Sequence, residues 1–303
     1  MSTAWLFPGQ GSHYVGMGMA WAARSTRARA ALDEASDVLG AELLGLMADG
    51  PIDRLEETSR QQPALLIASV AALRAAADDL EPPAFVAGHS VGEYAALVAA
   101  GALQYADALS LVGARSALMR DAGMTHPGGM AAILGLEDAV VEAACASIGG
   151  VMVGNYNAPG QVVISGTVGG VEAACAALTQ AGAKRIVPIR ITVAAHSHLM
   201  AEAASAFGAL VDAVPVADAG VPVMANVSAR PITSRAEVRT EMRDQLTHAV
   251  RWTAGIEAML AAGVTTFYEI GPGAVLGGLV KRTARGFPDA AITVHALGEP
   301  PTA

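Results

Sequence analysis

The chain has little of what several function classes require. Its two cysteines, Cys145 and Cys175, are too few and too far apart for a disulfide framework or a CxxC metal site. Both fall in alanine-rich helical stretches, where an inert buried thiol is expected. Basic residues are scarce, with 19 Lys and Arg against 28 Asp and Glu and a formal charge of −9. That balance argues against a general nucleic-acid binder, which carries a basic footprint, although a local basic patch for an acidic partner is compatible with it. Long apolar runs are missing as well. Mean hydropathy is +0.42, yet the longest suspicious stretch, Ala64 to Leu73, is about half of the roughly 20 residues a spanning helix needs and contains Ser69. No Lys or Arg precedes Arg24, so the basic head of a secretory leader is missing. The expectation is a soluble, cytoplasmic protein that binds neither membrane nor nucleic acid and uses no metal.

What is present is a large foldable chain. With 303 residues, 53% hydrophobic and 16% charged, it has the length of about one to two and a half domains. A chain of that size buries roughly three quarters of its unfolded surface.

Short apolar runs alternate with longer helical stretches. Trp5 to Phe7 reads as a strand stopped by Pro8-Gly9, and Phe85 to Ala87 as a buried strand. Gln62 to Leu80, Val91 to Ala100 and Tyr105 to Asp121 read as helices. This alternation predicts a mostly parallel sheet covered by helices. After Gly123 and Pro127-Gly128-Gly129 the rhythm changes. Met130 to Leu134, Val151 to Asn155, Gln161 to Ser165 and Arg185 to Val193 read as strands, with helices over Glu137 to Ser147 and Gly170 to Ala181. Two β-α-β units in about 70 residues predict a small ferredoxin-like insertion. Thr265 to Ile270 reads as a late strand, Gly271-Pro272-Gly273 as a turn and Ala274 to Ala284 as a helix.

The strongest local signal is Gly88-His89-Ser90-Val91-Gly92, a G-x-S-x-G between a buried strand and a helix. Glycines permit a sharp turn that projects the Ser90 hydroxyl from the strand end. The adjoining helix start offers N–H groups and a positive dipole end, so the Val91 N–H can hold an oxyanion. A serine nucleophile needs a base. His89 neighbours Ser90, but adjacent side chains on such a turn point apart. His196 and His198, in Ala195-His196-Ser197-His198, follow a strand end that can hold a base rigidly. Chemistry alone leaves both open.

Together the motifs resemble those of malonyl-CoA:acyl carrier protein transacylases and the related acyltransferase domains of polyketide synthases. The segment Gly88-His89-Ser90-Val91-Gly92-Glu93-Tyr94 is similar to the family's active-site segment, and Phe7-Pro8-Gly9-Gln10-Gly11-Ser12 to its N-terminal motif. Arg115, in Ala114-Arg115-Ser116-Ala117-Leu118-Met119, falls on the family's substrate-carboxylate arginine. Asn155 to Gly166 resembles the small-subdomain signature, and Ala195 to Met200 the catalytic-histidine segment, placing the base at His196. Gln245-Leu246, Val250-Arg251-Trp252 and Glu269 to Gly273 complete the set, which spans essentially the whole chain.

The resemblance implies a large α/β-hydrolase-like subdomain, residues 1–123 and 195–303, interrupted by a ferredoxin-like one at 124–194, with the site in the groove between them. It implies a Ser90–His196 pair whose base is oriented by the Gln245 backbone carbonyl. It implies an oxyanion hole from the Gln10 and Val91 N–H groups, and a ping-pong transfer from malonyl-CoA to the phosphopantetheine thiol of an acyl carrier protein. No tightly bound cofactor follows from it, and the family works as a monomer. Met119, one turn beyond Arg115, and Ala195, beside the base, are expected in the acyl pocket. Ala195 leaves room for an α-substituent where malonyl-selective polyketide members carry an aromatic and methylmalonyl members a serine. Val91 looks malonyl-like, so malonyl is favoured and a substituted malonyl unit stays open. A hydrolase of the same fold and a noncatalytic carrier-binding subunit are the rivals. Position 13 is His where the family commonly has Gln. Lys184, Arg185, Arg190, Lys281, Arg282 and Arg285 are candidates for docking an acidic carrier.

Overall fold

The computed structural model describes residues 2–299 apart from Arg190, Thr192 and Asp289. Among the described residues ten strands form two sheets. β1 (Ser2–Phe7), β2 (Phe85–Gly88), β7 (Val223–Met224), β8 (Pro231–Ile232), β9 (Val264–Ile270) and β10 (Thr293–Leu297) make a six-stranded sheet in the order β10-β9-β1-β2-β7-β8. Every pairing in it is parallel except β7 with β8. β1 is buried over nearly its whole length, as befits a central strand covered on both faces. Trp5 pairs with Val86 and Phe7 with Gly88, so the first motif and the G-x-S-x-G run leave the same sheet edge side by side.

The helix Thr58–Ala76 contacts β9 and packs against the helix Tyr105–Thr125, and the two carry much of the core. The first starts four residues ahead of the expectation, because Pro63 is accommodated inside it. Pro63 has no N–H to give the Ser59 carbonyl. The Ser116 hydroxyl from the second helix donates to that carbonyl instead, at 3.3 Å.

β3 (Gly128–Leu134), β4 (Val151–Ala158), β5 (Gln161–Thr167) and β6 (Arg185–Ile189) form a separate antiparallel sheet in the order β4-β5-β3-β6. The helices Asp138–Ile148 and Val168–Gln180 cover it and bury Ile133, Val141, Ile164, Val171 and Leu178. The strand expected to reach Val193 ends at Ile189; Arg190 and Thr192 of that expectation lie outside the described residues. Cys145 is buried beneath this sheet, and burial pushes its thiol up to about 11. Cys175 is half-buried.

An isolated parallel bridge joins β4 to the loop that precedes the helix Trp252–Ala261. Tyr156 N–H donates to the Val250 carbonyl and Val250 N–H to the Gly154 carbonyl, both at 2.9 Å. Among the described residues no helix is long and apolar enough to cross a membrane, and no cluster of His, Cys, Asp and Glu could hold a metal ion.

Candidate active site

The G-x-S-x-G turn joins β2 to the helix Gly92–Ala99. Its glycines serve close approach. A Cβ on Gly88 would meet the Gly92 carbonyl carbon at 2.0 Å, and one on Gly92 would meet the Phe7 carbonyl oxygen at 2.2 Å. The left-handed conformation falls instead on Ser90, with φ 51°. His196 is left-handed as well, with φ 59°. Non-glycine residues in that region store strain and persist only where their surroundings hold them.

Ser90 Oγ lies 2.7 Å from His196 Nε2. His196 Nδ1 faces two backbone carbonyls, Gln245 at 2.8 Å and His248 at 3.1 Å. Two acceptors on that side place the ring proton on Nδ1 and leave the Nε2 lone pair aimed at the serine hydroxyl. Burial, and then the positive charge of Arg115, push the imidazole down to about 3, so it stands neutral and ready to accept a proton. His198 is the first residue of the short helix that follows and is exposed, which separates the two histidines the sequence left open.

Arg115 projects from the middle of the helix Tyr105–Thr125 and is fully buried. Its guanidinium donates to Gln62 Oε1, to Gln245 Oε1 at 2.9 Å and to Ser90 Oγ at 3.3 Å. A buried cation without a carboxylate against it is costly unless polar acceptors surround it. The amide oxygens of Gln62 and Gln245 supply that surrounding.

A cavity of about 450 Å³ opens onto Ser90 and His196 between the two sheets. Gln10, Gln61 and Ala195 line it from the large half, and Met130, Asn155 and Val163 from the small sheet. Gln10 Nε2 donates to Gln61 Oε1 at 2.6 Å, and Gln61 Nε2 approaches His13 Nδ1 at 2.8 Å. Burial lowers His13, against the opposing pull of Glu56 at 3.7 Å. The structure therefore gathers Gln10, Ser90, Ala195 and His196 around one cavity, with Arg115 and Gln245 touching them from behind. Met119 is not on the cavity wall; it is buried, and its sulfur accepts from Gln62 Nε2 at 3.3 Å. His89 turns away from Ser90, as expected, to meet Asn157 Oδ1 at 2.8 Å and pack on Trp252.

Sequence reasoning missed the layer beneath. Asn226 Oδ1 accepts from the Ser90 N–H at 2.8 Å, while its Nδ2 donates to the Gly88 carbonyl at 2.7 Å and to Glu93 Oε1 at 2.8 Å. Gln245 Nε2 donates to the Ser90 carbonyl at 3.1 Å and to Glu93 Oε2. Glu241 accepts from the Val227 N–H at 2.8 Å. Asn226 is 136 residues from Ser90 and stands in no segment that periodicity singles out.

The chain is similar to known acyl transferases over nearly its whole length. The acyl transferase domain family profile matches residues 4–297. The malonyl CoA-acyl carrier protein transacylase of Bacillus subtilis is 42% identical over 286 residues, covering 93% of this chain and 90% of that protein. The crystal structure of an acyl carrier protein S-malonyltransferase from Vibrio cholerae superposes with a TM-score of 0.94 at 40% identity, covering 99% of this chain and 98% of that one. A malonyl-transacylase in complex with its type II polyketide-synthase acyl-carrier protein gives a TM-score of 0.94 at 37% identity, over 99% and 97% of the two chains. A profile match across nearly the whole length, with relatives 42% identical over more than nine-tenths of the chain, makes this chain a member of the acyl transferase domain family.

Proposed function

We propose that the protein moves a malonyl group from malonyl-CoA to the phosphopantetheine thiol of an acyl carrier protein through an acyl-Ser90 intermediate. The observation that carries this reading is the convergence on one hydroxyl: Ser90 Oγ has His196 Nε2 at 2.7 Å and the buried guanidinium of Arg115 at 3.3 Å. A general base and a carboxylate receptor at the same atom suit a dicarboxylic acyl group.

In this reading His196 takes the Ser90 proton as Oγ attacks the thioester carbonyl. The backbone N–H groups of Gln10 and Val91 receive the developing oxyanion, and the Gln245 carbonyl holds the imidazolium through Nδ1–H. The tetrahedral intermediate collapses, His196 returns the proton to the departing thiolate, and coenzyme A leaves. The carrier thiol then attacks malonyl-Ser90 by the reverse sequence. Three of the five Arg115 N–H donors are engaged by Gln62, Gln245 and Ser90. The substrate carboxylate displaces the long Ser90 contact and gains a charge-assisted pair, which a neutral acetyl group cannot offer. Ala195 borders the cavity and sets the room around the acyl α-carbon. Met119 acts from the second layer, through Gln62.

The finer architecture belongs to the same proposal. Residues 1–123 and 195–303 form an α/β-hydrolase-like subdomain, supported by the parallel sheet and the turn after β2. Residues 124–194 form a ferredoxin-like one, supported by the β-α-β-β-α-β order and the β4-β5-β3-β6 arrangement. Lys184, Arg185, Arg282 and Arg285 line one groove where the small sheet meets the C-terminal helix, a place for an acidic carrier. Lys281 is outside that lining, and Arg190 lies outside the described residues. The enzyme is read as a cytoplasmic monomer with no tightly bound cofactor.

The test is intact-mass analysis after separate exposure to malonyl-, methylmalonyl- and acetyl-coenzyme A, with Ser90→Ala alongside. A malonyl adduct that is lost in the variant and transfers to a carrier protein is the expected result. Rapid release of free acid without an adduct overturns the transfer reading.

A further inference from the structure

Beneath Ser90 the buried polar groups form a closed circuit of donors and acceptors, and the circuit admits one arrangement. A guanidinium has only donors, so the end of the Gln245 amide facing Arg115 is its oxygen. The NH2 end therefore points to Glu93. Asn226 is oriented in the same way: its oxygen receives the Ser90 N–H, so its NH2 points to the Gly88 carbonyl and Glu93, and its backbone N–H reaches Glu93 Oε1 at 2.9 Å. Three donors converge on one carboxyl group that is 1% exposed. A neutral carboxyl group would bring a hydrogen of its own into a shell made of donors.

We infer that Glu93, ionised, is the positioning residue of this site, holding Ser90 through Asn226 and Arg115 through Gln245. The strained Ser90 backbone is pinned on both sides, its N–H by Asn226 and its carbonyl by Gln245. Both amides are anchored on the same carboxylate. Gln245 thus does three things: its backbone carbonyl faces His196, its side-chain oxygen faces Arg115, and its NH2 faces Glu93. A buried positive and a buried negative charge stand at the two ends of one amide, each fixing which way it points. Burial and the nearby Glu241 carboxylate push Glu93 upward, while Asn226 and Gln245 oppose them. Glu93 touches no reacting atom, so its effect is felt through the residues it holds.

The inference rests on the malonyl-transfer reading and deepens it. Its test is the ratio of malonyl to acetyl loading on Ser90, which cancels the fraction of active enzyme. Glu93→Gln keeps the shape but turns an NH2 toward the Gln245 NH2. The Gln245 amide then flips and presents donors to Arg115. We expect the ratio to fall by about tenfold or more. An unchanged ratio in Glu93→Gln overturns the inference. Should Glu93→Gln fail to fold, Gln245→Met serves: it keeps the backbone carbonyl on His196 and removes the amide, so the ratio must again fall, and an unchanged ratio overturns the inference. The unaltered protein is the separate control. Absence of its malonyl-Ser90 adduct sinks the transfer reading itself, whatever the variants do.

Discussion

The two sheets are buried by opposite means. The interior of the small sheet is apolar, built from residues such as Ile133, Val153, Val162, Ile164 and Leu178. At the end of β2 in the large sheet, by contrast, Glu93, Arg115, His196, Asn226 and Gln245 are all nearly inaccessible. Apolar burial stabilises without regard to direction. Buried polar groups specify direction and are costly when left unsatisfied. The large half therefore holds groups in orientation, and the small half supplies a stiff wall opposite them.

The contrast can be broken from either side. The greatest expected effect is that of Ser90→Ala, which removes the oxygen proposed to attack: malonyl turnover should fall at least about 1,000-fold, with no acyl adduct by intact mass. Arg115→Ala should lower malonyl kcat/KM by about 100-fold while acetyl transfer falls far less. Equal losses for both substrates would remove Arg115 from carboxylate recognition. The same variant sharpens the electrostatic side. Arg115 contributes to holding His196 down near 3. A protonated imidazole cannot act as the base, so activity is lost as pH falls through this value. Without the neighbouring cation the value rises, and the acid limb of acetyl loading should move to higher pH. An unmoved limb would mean that burial alone sets it.

In the small sheet the expected loss is one of stability. Ile164→Ala deletes a fully buried side chain and should cost about 2–5 kcal/mol in denaturant unfolding. Turnover per folded molecule should change by less than about threefold, since Ile164 belongs to the apolar cluster of the small sheet. The smallest effect is expected for His13→Gln, which keeps a hydrogen-bonding side chain beside Gln61. A change in kcat/KM within about threefold at neutral pH would fit a supporting role.

Much of this was legible in the sequence, for reasons that differ by element. β1 and β2 are short apolar runs closed by Gly and Pro, and helices as long as Tyr105–Thr125 declare themselves by length. The start of the helix Thr58–Ala76 was hidden because Pro63 reads as a beginning, and the Ser116 hydroxyl that relieves it comes from another helix. β7 and β8 have two residues each, too few for a period, and β10 is an edge strand with much of its surface exposed. At the site, Ser90, His196 and Arg115 stand in contiguous motifs. Glu93 also stands in one, but its partners Asn226 and Gln245 are 133 and 152 residues away. Hydrogen-bond complementarity across such distances leaves no mark on spacing or composition.

The edge pairing of β4 with Val250 ties the cavity wall to the base. The segment that supplies the Gln245 and His248 carbonyls to His196 continues directly into the residue bonded to the small sheet. A displacement of β4 at Gly154 or Tyr156 is therefore passed along five residues of continuous chain to the carbonyls that orient the imidazole.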